Sequence, residues 1–216
     1  MAARGRPRSF DRDIALRQAM ELFWMKGFEN SSMADLTAAM GLNPPSLYAA
    51  FGSKENLFRE ALDLYVRTAG GGIWEEVAEA PTAREAVAGL LSRTAEAYSR
   101  GPAPRGCMIV LAAPQMAGGN PAVCEELKRH RLDNVAMLEH RLARAVQEGE
   151  LPPGTDCGAI AAFFTALQHG MSIQARDGAS GDMLRSIARS AMAGWDRLVE
   201  ACGSRDPGSG GAPGEG

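Results

Sequence analysis

Residues 30–54 read NSSMADLTAAMGLNPPSLYAAFGSK, and the spacing within that stretch decides the fold. Ser32 is a good N-cap, and Asp35 three residues on completes a capping-box pattern. Leu36 and Met40, one helical turn apart, give the first short helix an apolar side. Gly41 falls where a helix C-terminus needs a left-handed residue, and Leu42 follows as the buried residue of the turn. Asn43 caps the next helix, and Pro44 and Pro45 occupy its first turn, where missing N–H groups cost little. Leu47, Ala50 and Phe51 pack inward by their spacing, leaving Ser46, Tyr48 and Ala49 outward. The pattern is a helix-turn-helix whose second helix can lie in a DNA major groove.

Phosphate contact calls for helix N-termini, small hydroxyls and lysines. Ser32 at a cap, Tyr48 on the outward face and Lys54 at the start of the following helix fit those roles. Position gives base reading to Asn43, Pro44, Pro45, Ser46 and Ala49, of which none is an arginine. Their short apolar members can touch a thymine methyl at most, so direct readout is expected to be modest. Ser32 and Asn43 also carry plain capping duties.

Phe28-Glu29-Asn30-Ser31-Ser32 before the motif, and Ser46-Leu47-Tyr48-Ala49-Ala50-Phe51-Gly52-Ser53-Lys54-Glu55-Asn56-Leu57 within and after it, resemble the TetR family of transcriptional regulators. The likeness covers residues 10–65, and its turn glycine, tyrosine, phenylalanine and Ser-Lys-Glu must all fall in register. Thr37 departs from the pattern, standing where a small alanine is usual, and Pro45 and Ala50 replace a frequent glycine and a frequent aromatic. The resemblance implies phosphate contacts from Ser32, Tyr48 and Lys54. It further implies a C-terminal helical half enclosing an effector pocket, with repression as the default. Residues placed to line such a pocket are Trp74, Tyr98, Met108, Met116, Met137, Phe164 and His169. Their methionines and scarcity of charge suit a small apolar or aromatic effector.

Composition agrees with an all-α chain. Of 216 residues 45% are hydrophobic and only 6% aromatic, and alanine and leucine abound. The formal charge of −3 argues against a nonspecific nucleic-acid coat, yet Arg4, Arg6 and Arg8 make the N-terminus basic. Arg4-Gly5-Arg6-Pro7 is like the core of an AT-hook, which lays arginines in a narrow minor groove; the other reading is a solvated arm. No apolar run suits a membrane span and no signal-peptide core follows the basic start, so a cytoplasmic protein is expected. The four cysteines show no metal or disulfide framework spacing, and no metal or other cofactor is expected.

Four segments are expected: a disordered basic arm (1–9), the helix-turn-helix domain (10–56), a regulatory and dimerisation domain (57–203) and a disordered Gly/Pro/Ser-rich tail (204–216). In the first helix Ala15, Ala19, Leu22 and Phe23 form the inward stripe. Gly70-Gly71-Gly72 should interrupt the helix begun at Lys54, with Ile73, Trp74 and Val77 resuming a helical pattern. A short buried helix is expected near 106–113. A long amphipathic one should follow Asn120-Pro121, with Val123, Leu127, Leu132, Val135, Leu138, Leu142 and Val146 inward. Asp182 should cap a last helix running through Leu198 and Val199.

One such module offers too little DNA contact for specificity, so a homodimer on a near-palindromic double-stranded operator is expected. The last two long helices supply the surplus apolar surface for its seam: Phe163, Leu167 and Met171 on one, Leu184, Ile187, Ala191 and Trp195 on the other. An alternative on the same scaffold is a thiol- or metal-responsive regulator using Cys107, Cys124 and Cys157 with His130, His140 and His169. Enzymatic motifs are absent: no HExxH, no Gly-x-Ser-x-Gly, no P-loop and no dinucleotide fingerprint. A helical adaptor without DNA is the remaining rival.

Overall fold

Side-chain caps set the helix boundaries. The computed structural model describes residues 10–100, 106–112 and 119–203; the N-terminal arm with Arg4 and Arg6, Met116 and the tail lie outside them. The helices are α1 (Arg12–Lys26), α2 (Met33–Met40), α3 (Pro44–Phe51), α4 (Lys54–Arg67), α5 (Ala83–Tyr98), α6 (Met108–Leu111), α7 (Pro121–Gln147), α8 (Cys157–Arg176), α9 (Gly181–Ala193) and α10 (Trp195–Gly203). No strand occurs among the described residues. None of their helices is long and apolar enough to cross a membrane. Two compact units result: Met1–Gly71 with Cys107–Lys128, and Gly72–Gly106 with Arg129–Gly216.

In the first unit, α1 packs on α2 and α4, α3 on α2 and α4, and α6 on α4. The inward stripe of α1 is Ala15, Leu16, Ala19, Met20 and Phe23, gaining Leu16 and Met20 over the expected set, with Leu22 only half-buried. Phe23 meets Phe58 edge-on with centroids 5.1 Å apart, and Phe28 meets the same ring edge-on at 5.3 Å. Such pairs add about 0.5–1.5 kcal/mol each beyond burial of the rings. Trp24 sets its edge against Tyr65 at 4.9 Å. Asp35 joins α2 to α1 through Lys26, 3.0 Å from its carboxylate.

In the second unit, α5 packs on α8 and α9, and α8 on α10. The helical pattern expected to resume at Ile73, Trp74 and Val77 gives no α-helix; a 3-10 turn at Gly71–Ile73 and further turns take its place. The reason lies in the carbonyls. Arg93 Nε donates to Ile73 O (3.3 Å), Arg144 Nη1 to Ala78 O (2.9 Å) and Arg141 Nη2 to Ala80 O (3.1 Å), so guanidinium groups replace helical N–H donors. Glu150 completes the fastening, accepting from the Ala83 N–H at the start of α5 and lying 3.4 Å from Arg141. The Arg141 side chain is wholly buried. Leu132 is 56% exposed, because the buried stripe of this part of α7 runs through Leu138, Leu142 and Ala145. Ser180, not Asp182, caps α9; Asp182 sits in its first turn and pairs with Arg185 at 2.7 Å. Gly194 divides the expected last helix into α9 and α10.

Two measurements check these assignments. Arg141→Ala leaves the Ala80 carbonyl and Glu150 without their buried donor, and should lower unfolding free energy by roughly 3 kcal/mol in urea. Arg144→Ala, nearer solvent, should cost about 1 kcal/mol. In the α2 capping box, hydrogen bonds from the Ser32 hydroxyl and backbone N–H, with Lys26 beside them, lower the Asp35 pKa to about 2. The box therefore holds its full strength above the ordinary aspartate range and is lost as pH falls through about 2. A carboxyl NMR titration of Asp35 should show that midpoint, and Ser32→Ala should raise it.

Candidate nucleic-acid interface

Two eight-residue helices meet at a left-handed glycine. In α2 the Asp35 N–H donates to Ser32 Oγ at 3.0 Å while the Ser32 N–H donates back to the Asp35 carboxylate, also at 3.0 Å. Thr37 departs from the family pattern without strain, because its hydroxyl donates to the Met33 and Ala34 carbonyls at 2.9 and 3.0 Å. Gly41, at φ 64°, ends α2, a conformation costly for any residue with a Cβ. Leu42 is half-buried rather than buried, since its backbone N–H bond to Thr37 O, at 3.0 Å, does the turn's work.

Asn43 Oδ1 then accepts the Ser46 N–H at 2.9 Å, and Pro44 and Pro45 open α3 where no intrahelical N–H is called for. Leu47 and Phe51 are buried and anchor the helix. The opposite face is open: Asn43, Pro44, Pro45 and Ala49 are exposed, Tyr48 is 50% exposed, and Ser46 is half-buried. Ser53 Oγ accepts the Asn56 N–H at 3.1 Å and starts α4 with Lys54 at its first position. The Lys54 ammonium lies 4.3 Å from the centre of the Phe28 ring. Desolvation pulls its pKa down, while Glu29 and Glu55 act in the opposite direction. The structure thus places Ser32, Asn43, Ser46, Tyr48 and Lys54 on one folded unit with α3 outward.

Two contributors to this unit escape a reading of the local pattern. Arg12 covers the Phe51 ring at 4.4 Å, donates to Ala50 O at 3.3 Å and pairs with Glu60 at 2.7 Å, so the start of α1 braces the end of α3. Asn120 donates its backbone N–H to Glu29 (2.6 Å) and its side-chain Nδ2 to Glu55 (3.2 Å), the two acids flanking Lys54. Sequence separations of 38 to 91 residues hide both from any periodicity.

Of the expected pocket residues, Met108 belongs to the first unit and Trp74, Tyr98, Met137, Phe164 and His169 to the second. Tyr98 is buried and its Oη accepts from Gln168 Nε2 at 2.8 Å. Met108 is buried on α6, while Trp74 and His169 are half-buried. Burial lowers the His169 pKa, and the Arg131 charge adds to the shift. Phe164 is a core residue whose ring lies tilted against Trp195, with centroids 5.7 Å apart. Met137, 39% exposed, sits off the buried stripe of α7. Among the expected seam residues, Met171, Leu184 and Trp195 are buried within the chain itself. Phe163 is 48% exposed, and with Leu167, Ile187 and Ala191 it lines an apolar groove of about 390 Å³ between α8 and α9. Among the described residues no group of three or more His, Cys, Asp or Glu is placed to hold a metal ion.

Residues 15–61 match the model of the bacterial regulatory proteins, tetR family, and residues 83–191 that of the tetracyclin repressor-like, C-terminal domain. The chain is 36% identical over 199 residues to the HTH-type transcriptional repressor ComR of Escherichia coli (strain K12), covering 92% of this chain and 95% of ComR. It is 31% identical over 196 residues to the HTH-type transcriptional repressor BdcR of the same strain, covering 88% of this chain and 90% of BdcR. Among solved structures, a cysteine variant of the TetR family transcriptional regulator CifR, complexed with 26 bp double-strand operator DNA, matches with a TM-score of 0.80 and 41% identity. That match covers 88% of this chain and 98% of the CifR chain. Both halves of the molecule carry the signature: this chain belongs to the TetR family of DNA-binding transcriptional regulators, which are not enzymes.

Proposed function

We propose that the chain is a cytoplasmic repressor that binds a near-palindromic operator as a homodimer and is released by a small apolar or aromatic effector. The observation that carries the DNA-binding part is the outward face of α3, held by Leu47 and Phe51 and left free of packing duties at Pro44, Pro45, Tyr48 and Ala49. ComR and BdcR are named as repressors, and the CifR variant is seen on operator DNA, which supports the same role here. In this reading Ser32, Tyr48 and Lys54 hold phosphates, and Asn43, Pro44, Pro45 and Ser46 face the bases. The arm carrying Arg4 and Arg6 adds a contact beside the major groove. Residues 10–56 serve as the DNA-binding domain and 57–203 as the regulatory one, flanked by the arm and the tail.

Dimerisation is assigned to the groove between α8 and α9. Phe163 and Met183, both lining that groove, are large apolar side chains 48% and 55% exposed. A second copy of the same face covers them in a four-helix seam. Effector binding would then favour a dimer spacing that no longer matches the operator, which requires differential affinity for the two states. Trp74, Tyr98 and His169 remain the candidates for ligand contact in the second unit.

The test is a gel shift on the DNA upstream of the chain's own gene at fixed salt, repeated with a panel of small apolar and aromatic compounds. A specific shift relieved by one class of compound is the expected result; no shift at any site sinks the proposal. Tyr48→Phe and Lys54→Ala should weaken binding alike across sequences, and Lys54→Ala should reduce the salt slope by about 1. Phe163→Glu should convert the dimer to a monomer in light scattering and reduce operator affinity by at least about tenfold.

A further inference from the structure

The first turn of α3 has no backbone hydrogen-bond donor left to offer a ligand. Its first two residues, Pro44 and Pro45, carry no N–H group at all. The third N–H, from Ser46, donates to Asn43 Oδ1 at 2.9 Å, and the fourth, from Leu47, donates to Asn43 O at 3.1 Å. An ordinary helix start presents several free N–H groups, which is what suits it to phosphates and other acceptors. Two exposed proline rings stand in their place on α3. Ala49 lies one turn beyond Pro45 on the same side, is exposed as well, and extends the hydrocarbon strip along the helix. No residue of α3 is charged. Besides Tyr48, the polar side chains here are Asn43, whose oxygen is taken by the cap, and half-buried Ser46.

A helix of this kind meets base edges with carbon. Among the recognition groups that base pairs present in the major groove, only the thymine C5-methyl is apolar; the others are hydrogen-bond donors and acceptors. A proline ring or alanine methyl pressed on guanine N7 or O6, or on cytosine N4, strips water from that group and returns no bond. Against a thymine methyl the same carbon removes apolar surface from water on both sides. We propose that α3 reads its operator through thymine methyl groups, with Pro44, Pro45 and Ala49 as the residues that recognise them. This deepens, and rests on, the reading of α3 as the base-facing helix. The preferred half-site carries thymines where the first two turns of α3 enter the groove. Guanine and cytosine are disfavoured there by the polar groups they would leave unpaired. 5-Methylcytosine presents the same methyl, and is accepted in place of thymine better than cytosine is.

The test uses the full-length protein and the duplex it protects in the DNA upstream of its own gene, synthesised with deoxyuridine for thymidine. That exchange removes each C5-methyl and keeps every hydrogen-bonding group. Affinity at fixed salt should fall about fourfold for each methyl that α3 buries, the scale of one buried methyl-sized group. The salt slope should not change, because no phosphate contact is touched. Cytosine at a sensitive position should weaken binding, and 5-methylcytosine there should recover about fourfold of the loss. Pro44→Ala, Pro45→Ala and Ala49→Gly should each shrink the deoxyuridine penalty at the position that residue covers. Both duplexes are compared within one protein, so a change in the variant's stability cancels. A protein that binds the thymine and deoxyuridine duplexes equally overturns the methyl reading and leaves the DNA-binding role standing. A penalty undiminished in all three variants also overturns it, since the methyls are then read by other residues. Failure to bind any upstream duplex removes the base-facing role of α3, and the proposal with it.

Discussion

Two helices of eight residues cannot stand alone in water, because nucleation consumes most of what so few hydrogen bonds return. Everything around α2 and α3 answers that constraint. Each has an N-cap whose side chain satisfies a first-turn N–H, and each ends in a glycine of positive φ. Each then contributes two large apolar side chains, Leu36 with Met40 and Leu47 with Phe51, to a core already rigid through the Phe23, Phe28 and Phe58 rings. The outward face of α3 is rigid because its inward face is fully engaged. Arg12 adds the last brace, covering Phe51 while bonding to Ala50 and Glu60.

Charge follows a different logic in the two units. In the second, buried Arg141 and half-buried Arg144 are spent on backbone carbonyls of 78–80, so the segment entering α5 is held by guanidinium donors in place of helical hydrogen bonds. In the first, the decisive charges remain near solvent, where small changes of position alter how they act on an approaching anion. The overall charge of −3 therefore says little about DNA affinity, which depends on where a few cations stand and what neutralises them.

How much of this was legible in the sequence depends on range. Ser32, Asn43 and Ser53 could be read as caps because cap, glycine and apolar spacing lie within one or two turns of one another. The exposed position of Tyr48 followed from the same periodicity. Asn120 looked like a mere helix start, since nothing local indicates that its donors reach residues 65 and 91 positions away. Arg141 was illegible for another reason: arginine is ordinarily a surface residue, and the Ala80 carbonyl that its buried guanidinium bonds lies 61 residues away along the chain. Apolar periodicity also overcounted. Leu132 fits the apolar run of α7 yet is 56% exposed, and Met171, Leu184 and Trp195 are already buried within the chain itself.

The exposed face of α3 carries no responsibility for folding. Pro44, Pro45 and Ala49 could be exchanged with little effect on the packing of Leu47 and Phe51 beneath them. With α3 as the proposed base-reading helix, stability and address are written on opposite sides of one short helix. A lineage carrying this scaffold can therefore acquire a new binding sequence by point substitution, without first accumulating reserve stability, and duplicated copies can diverge in their targets while remaining equally well folded.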